Sequence, residues 1–348
     1  MSPKIPFISD FHFGIKKASD IFLDSQLDFI KNQFEPYLSE NNIKEIFILG
    51  DLFDNRTHIN IKIKNIILDI FENVLKKYKI YLLIGNHDCF FSDNIKINSL
   101  NFLNKFENVT LIDKNTVLNI NDKKFYAVPW ITNNNTFITD INNLKEKIDV
   151  CVGHFSINGF KLNKTKIEES GLSTDYFKKF KKVFSGHFHT RCIRKNNDCE
   201  IIYIGSPYQL NRGDMEEARG FCVLDTDTLE YEFIDNNRSI KYVKLVYPET
   251  FEEEIIKGNI IDVCVNFNDN FDELSFSNYF KKIDSFKPAA PPLIIPLDNF
   301  RGIDDDVELK SKTSSELLRE YVDILKVDNK DIIYSELENI YEETKNVI

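Results

Sequence analysis

Nowhere in this 348-residue chain does an apolar run approach the roughly 18 residues that a membrane-spanning helix needs, so no bilayer-crossing segment is expected. Positive charge is not in excess either: 44 Lys and Arg stand against 55 Asp and Glu, a formal net charge of −11. A chain this acidic does not bind phosphates over its whole surface. Any grip on nucleic acid must be local, metal-assisted or shared with a partner. The six cysteines (Cys89, Cys151, Cys192, Cys199, Cys222 and Cys264) form no C-x-x-C pair. That spacing argues against a zinc finger and against a disulfide framework, and points to a reducing, cytosolic compartment. The opening Met-Ser-Pro-Lys runs straight into Ile5-Pro6-Phe7-Ile8-Ser9-Asp10, which reads as a strand rather than a leader peptide. There is no internal repeat. Histidine is scarce as well, with six in the chain.

What is present is an apolar fraction of 42%, enough for one large core with smaller units appended. Short β-prone runs at Glu45–Leu49, Lys79–Ile84, Asp149–Val152, Lys182–Ser185 and Ile201–Ile204 each give way to a Gly or polar turn. Between them, Asp20–Asn41 and Ile61–Lys77 carry apolar residues at helical spacing, and Phe22, Leu23, Leu27, Ile30 and Phe34 mark the buried face of the first. This alternation predicts an α/β layered domain. A hairpin turning at Asp225-Thr226-Asp227-Thr228 closes it, and the first domain is placed at 1–235. Strands at Ile240–Val246, Ile260–Phe267 and Leu293–Pro296 with a helix at Phe271–Ile283 predict a small α+β unit over 236–298. A polar linker follows at 299–312, then C-terminal helices over 313–348. Leu317, Leu318, Tyr321, Ile324 and Leu325 make one stripe of the first of these helices.

Five of the six histidines follow predicted strands directly. The segments are Ser9-Asp10-Phe11-His12, Gly50-Asp51-Leu52-Phe53-Asp54, Gly85-Asn86-His87-Asp88, Gly153-His154 and Gly186-His187-Phe188-His189. In a layered α/β fold the strand ends converge on one rim. A two-residue spacing on a strand puts Asp10 with His12, and His187 with His189, on the same side, so each pair could bite one site. Asp10, Asp51 and Asn86 with His12, His154, His187 and His189 make seven donors, too many for one zinc. They suit two divalent cations roughly 3.5–4 Å apart if Asp51 bridges. Mixed nitrogen and oxygen ligands without thiolate fit Mn²⁺ or Fe, with zinc less specific and Mg²⁺ also admissible.

Taken in this order, the five motifs resemble those of the calcineurin-like metallophosphoesterase superfamily. Within it the chain most resembles the nuclease subunit of tailed-phage recombination exonucleases, the phage relative of bacterial SbcD and of the eukaryotic meiotic-recombination nuclease. Val152–Phe160, Val128-Pro129-Trp130, Tyr203–Pro207 and Ala218–Phe221 carry the likeness beyond the histidine motifs, which covers roughly residues 4 to 234. The resemblance implies a four-layer metallophosphoesterase β-sandwich flanked by helices. It assigns one metal to Asp10, His12, Asp51 and His189, and a second to Asp51, Asn86, His154 and His187. It places His87 outside the metal ligands, facing the leaving oxygen of the phosphate. Asp88 either orients that imidazole or serves as a structural carboxylate for turn amides. Where many SbcD-type nucleases carry a histidine three residues after the bridging aspartate, this chain has Asp54. Asp54 and Arg56 are therefore expected near the substrate, with the positioning of the DNA end the feature most affected.

The implied activity is hydrolysis of DNA phosphodiesters as a metal-dependent exonuclease and endonuclease in end processing or recombination. The implied partners are DNA, an SbcC-type coiled-coil ATPase docked by the C-terminal helices, and a second copy of the chain. The location implied is cytoplasmic, the host cytosol if phage-encoded. Two other readings compete: a stand-alone phosphatase or cyclic-nucleotide phosphodiesterase, and a non-catalytic module that kept the fold. The dense apolar residues Ile95, Ile97, Leu100, Phe102, Leu103 and Phe106 are expected either to pair two copies or to pack on their own core. Lysines 161, 164, 166, 178, 179, 181 and 182 make the clearest basic stretch, read as a solvated face or a phosphate contact. His58 is expected in solvent.

Overall fold

The computed structural model describes residues 3–161, 167–267, 271–297, 319, 322 and 329–345. Residues 1–295 make one compact unit and 296–348 another. In the first, β1 (Lys4–Ile8), β2 (Glu45–Ile48), β3 (Lys79–Leu83) and β4 (Val109–Ile112) run parallel as neighbours. β5 (Thr116–Ile120), β6 (Lys123–Val128), β7 (Val150–His154), β8 (Lys182–Gly186), β9 (Cys192–Asn196) and β10 (Cys199–Tyr203) build a second sheet in the order β5-β6-β7-β8-β10-β9. The chain then returns to the first sheet, where β11 (Gly220–Asp225) pairs antiparallel with β1, and β12 (Tyr231–Asp235) with β11. The turn between them is fixed by the Asp225 carboxylate, which accepts from the Asp227 and Thr228 amides.

Side-chain alternation explains why the two sheets stack. Phe47 and Leu49 face inward with Phe7, Tyr81 and Leu83 to meet Phe125, Val150, Val152, Phe184 and Ile202 of the second sheet. Ile46, Ile48, Ile80 and Leu82 face outward onto the helices. Phe7 is fully buried and its ring stacks on Phe184 across the sandwich, 4.4 Å between centroids. Burying one such ring contributes about 1.5–3 kcal/mol. The outer face of the first sheet is covered by α1 (Asp20–Phe29), continued through Ile30–Phe34 and Glu35–Glu40, and by α2 (Ile61–Asp69), continued through Ile70–Val74. Ile30–Phe34 is a widened π turn just before Pro36, whose missing N–H an ordinary helical turn would register as a lost bond. α3 (Asn134–Asn143) covers the second sheet through Phe137 and Ile141. The result is an α/β sandwich of four layers: the alternation of elements predicted the layered α/β class, and the family resemblance implied the four layers.

The 235/236 boundary divides sheets rather than compact units. β13 (Tyr242–Val246), β14 (Ile260–Val265) and β15 (Leu293–Pro296) form a third sheet, with α4 (Glu273–Ser285) packing Ile283 on Ile261, Val263 and Val265. Arg212 reaches across to the buried Asp262 with two bonds of 2.7 and 3.0 Å. The Tyr242 amide donates to Gln209 Oε1, and the Ile240 amide to Ser25 Oγ. Leu100 and Leu103 are buried in the chain's own core, and Ile95, Phe102 and Phe106 pack against it, whereas Ile97 is 57% exposed.

In the second unit α5 spans Lys330–Lys345, and Arg319 bonds Asp331 at 2.8 Å. The expected linker at 299–312 and the apolar stripe from Leu317 to Leu325 lie outside the described residues. Among the described residues no helix is long and apolar enough to cross a membrane.

Candidate metal centre

The five motifs meet where β1, β2, β3, β7 and β8 end. Strand alternation is not what aims the Asp10/His12 and His187/His189 pairs. β1 stops at Ile8 and β8 at Gly186, and Asp10, His12, Asp51 and His187 all sit in the left-handed region with φ of 55°, 48°, 52° and 87°. Each such non-glycine residue costs on the order of 1–3 kcal/mol and persists only where its surroundings over-determine it. The His187/His189 pair is accordingly divided: His189 stands with Asp10 and His12, and His187 with Asp51 and His154. Backbone room is needed for this crowding. A Cβ on Gly50 (φ 95°) would lie 2.7 Å from His154 Nδ1, and one on Gly186 only 2.0 Å from Ser9 Oγ.

The seven expected donors fall into two clusters, and one carboxylate faces both. Asp51 Oδ2 is 3.7 Å from His12 Nε2 and 3.3 Å from His154 Nε2. In the first cluster His12 Nε2 and His189 Nε2 approach to 3.1 Å, with Asp10 Oδ1 4.0 Å from the latter. In the second, Asn86 Oδ1 is 2.9 Å from His154 Nε2 and 2.8 Å from His187 Nδ1. His154 Nδ1 donates to the Leu49 carbonyl at 2.7 Å, so in the neutral ring the lone pair is on Nε2, facing the cluster. Asp10, Asp51, His12 and His154 are all buried. Converging imidazole and carboxylate lone pairs in a buried site are a poor arrangement without a cation and a good one around it. The oxygen and nitrogen donor set suits a divalent ion. The seven residues thus have the donor chemistry to hold divalent cations.

The electrostatics follow from this crowding. Burial pushes the Asp10 carboxyl up and would raise Asp51 too, but His154 and His12 beside Asp51 outweigh it and hold that group well below the carboxylate range. Burial works to lower His154, yet Asp51 and Asp10 raise it to about 9. Burial and the neighbouring His154 depress His187 to about 3, and burial with His12 nearby depresses His189 well below the usual imidazole value.

His87 stands at the edge of the first cluster, its ring 4.8 Å from that of His12. Its Nδ1 donates to the Asp54 carbonyl at 2.7 Å, which turns Nε2 toward the site. The structure therefore gives Asp88 the second of its two expected roles. Asp88 does not orient His87. Its buried carboxylate accepts from the amides of Gly85 and Asp51, each at 2.9 Å, and of Leu52 at 3.1 Å. Burial and the nearby Asp51 push it up to about 7. Asp54 touches two of the histidines: its carbonyl accepts from His87, its Oδ1 lies 3.4 Å from the buried Nδ1 of His12, and the three residues make a further group of converging donors. Arg56 is exposed on the rim, and His58 is exposed beside Thr57.

Two features escaped the sequence reading. The Asp54 contribution runs through a backbone carbonyl, which residue identity does not encode. Trp130 walls the second cluster, its ring 5.1 Å from His187 and 6.0 Å from His154, with its amide on the Ile84 carbonyl at 2.7 Å. Being the chain's single tryptophan was the available signal.

A family model described as calcineurin-like phosphoesterase matches residues 3–191. The chain is 30% identical over 331 residues to exonuclease subunit 1 of Enterobacteria phage T4, covering 92% of this chain and 93% of that protein. It is 25% identical over 355 residues to the DNA double-strand break repair protein Mre11 of Methanocaldococcus jannaschii, covering 94% of this chain and 92% of the relative. It is also 26% identical over 267 residues to the putative phosphoesterase 078R of Invertebrate iridescent virus 3, covering 73% and 71%.

Proposed function

This chain belongs to the calcineurin-like phosphoesterase family and is a metal-dependent phosphoesterase, and from that premise we propose that it is the nuclease subunit of a DNA-processing machine. The observation that carries the reading is the meeting of two donor clusters at Asp51 Oδ2. Similarity over nine-tenths of the chain to an exonuclease subunit and to a DNA break repair protein supports DNA as substrate. Asp10, His12, Asp51 and His189 would hold one cation, and Asp51, Asn86, His154 and His187 a second. Mn²⁺ is the ion proposed. When bound, such a pair neutralises phosphate charge and supplies a nucleophile at neutral pH.

The chain's own residues do the rest. Asp51 fixes the spacing of the two clusters, and its Oδ1 accepts the His87 amide at 2.8 Å, tying the third motif to the second. His87, pinned through Nδ1, carries in its charged form an Nε2 proton for the leaving sugar oxygen; such help is typically worth about 10²–10⁴-fold. Asp88 keeps the Gly50–Phe53 and Gly85 turns together, so that Asp51 and His87 stay in register.

The partner in this proposal is an SbcC-type ATPase held by residues 313–348. Pairing of two copies is part of it too, although of the six apolar residues from Ile95 to Phe106 only Ile97 is strongly exposed. The primary test is Mn²⁺-dependent digestion of linear duplex and single-stranded DNA beside a small phosphomonoester. Cleavage of both DNAs, abolished in Asp51→Asn, is expected. Turnover of the phosphomonoester alone would favour the phosphatase reading. Truncation before Thr313 should keep cleavage of short DNA and lose co-purification with the ATPase. Light scattering at micromolar concentration tests the dimer.

A further inference from the structure

Beside the catalytic turn the chain does something a folded protein avoids. Phe90 and Phe91 are each 44% exposed, packed edge to face with centroids 4.8 Å apart, and Ile97 beside them is 57% exposed. The loop that carries them is not loose. Cys89 pairs with Asn98, the Phe90 amide donates to the Ile97 carbonyl at 3.0 Å, and the Ser99 amide donates to the Asp88 carbonyl at 2.8 Å. Asn98 Nδ2 closes the far side on the Ile95 carbonyl at 2.8 Å, and Cys89 Sγ donates to the Gly85 carbonyl. Both ends of the loop are therefore anchored on the turn that holds His87 and Asp88. Its two rings are presented to solvent in a fixed position, with little ordering left to do when something binds.

We propose that Phe90 and Phe91 form a stacking platform for unpaired bases of the nucleic-acid strand whose phosphate lies at His87, an inference that rests on the DNA reading above. Reach supports it. Phe90 lies three steps along the chain from His87, and a chain spans at most about 3.6 Å per residue. Phe90 is thus within roughly 11 Å of His87, about three nucleotides at the 3.4 Å rise of a stacked strand. Size decides against a second copy of the chain seated on this patch alone, so pairing of two copies needs further surface besides it. A whole aromatic side chain buries about 150–250 Å², so these three partly exposed side chains offer on the order of 250 Å². A stable two-chain interface takes roughly 800 Å² from each partner. The patch is too small for that and matches one or two base faces. Stacking is also tolerant of base identity, because every base presents a π face, which suits an enzyme that digests rather than reads.

The test compares wild type, Phe90→Ala/Phe91→Ala and Phe90→Tyr/Phe91→Tyr full-length proteins with Mn²⁺. The substrates are single-stranded oligonucleotides with either normal or abasic residues flanking the cleaved bond, and bis(4-nitrophenyl) phosphate reports on the metal centre alone. One lost stack is expected to raise KM on the normal oligonucleotide about 5- to 100-fold. The tyrosine variant should restore it. The small phosphodiester should turn over within about twofold of wild type, and wild type on the abasic strand should resemble the alanine variant on the normal one. The wild-type comparison stands even if the alanine variant fails to fold. An unchanged KM, or equal losses on normal and abasic strands, would overturn the proposal. Loss of affinity together with a shift from dimer to monomer in light scattering would assign the patch to a second copy instead. A wild type that hydrolyses bis(4-nitrophenyl) phosphate yet cuts no oligonucleotide would refute the DNA reading itself and the platform with it.

Discussion

Replacing Asp88 by Asn separates the two roles that its place beside His87 allows. The carboxylate has two loaded oxygens. Oδ2 accepts from the Gly85 and Asp51 amides at 2.9 Å each, and Oδ1 from Leu52 at 3.1 Å, Phe53 at 3.4 Å and the Ser99 hydroxyl at 3.4 Å. An amide of the same shape can keep only one of these sets, and its NH₂ then faces donors. The better choice keeps the two 2.9 Å bonds and gives up the Leu52 and Phe53 amides. Bonds to a charged group are worth about 1.5–3 kcal/mol and the second of these is long. Part of the loss is returned, because a buried carboxylate pushed up to about 7 resists ionisation. The net cost is about 2 kcal/mol, roughly a 5 °C fall in Tm at the 2–4 °C per kcal/mol of larger domains. The turn carrying Asp51 loosens, so weaker Mn²⁺ binding should accompany it in calorimetric titration, with the shape of the pH–rate profile unchanged. A variant that keeps wild-type Tm and metal affinity but moves that profile would refute the argument, because it would mean that Asp88 acts through the His87 imidazole.

His87→Ser should retain both metals by elemental analysis and lose about 10²–10⁴-fold in turnover; loss of the metals along with activity would make His87 a ligand. Arg212→Ala should leave Asp262, 1% exposed, as an uncompensated buried carboxylate. Such a break costs about 3–5 kcal/mol for a fully buried pair, and about 2 kcal/mol here because the Arg212 side chain is 49% exposed. Denaturant melts check the loss, and Arg212→Met with Asp262→Leu should recover most of it. Metal binding should release protons. His154 is raised to about 9 before a cation binds and is therefore protonated at pH 7–8, and it must lose that proton to ligate through Nε2. Affinity for Mn²⁺ should thus rise by roughly tenfold per pH unit per proton released up to about pH 9 and then level off. Titrations in buffers of different ionisation enthalpy measure the released proton, and flat affinity across that range would refute the assignment.

The sequence by itself determined the layers and the roster of the site. Period-two runs such as Glu45–Leu49 must split their side chains between two faces, and both faces are apolar, so a sheet buried on each side was legible without coordinates. The donors were legible because histidine is rare here and five of six follow a strand. Tertiary structure decided how those donors are aimed. Asp10, His12, Asp51 and His187 adopt left-handed backbone that local preference disfavours, and only contacts from distant segments hold them there. The His187 amide on the Asp10 carboxylate and the His12 amide on the Asp51 carbonyl are two of these. The same holds for Asp88 and Asp54. Sequence places each beside a catalytic candidate, but whether a carboxylate meets an imidazole or a row of backbone amides depends on where segments 33 and 37 residues apart come to rest.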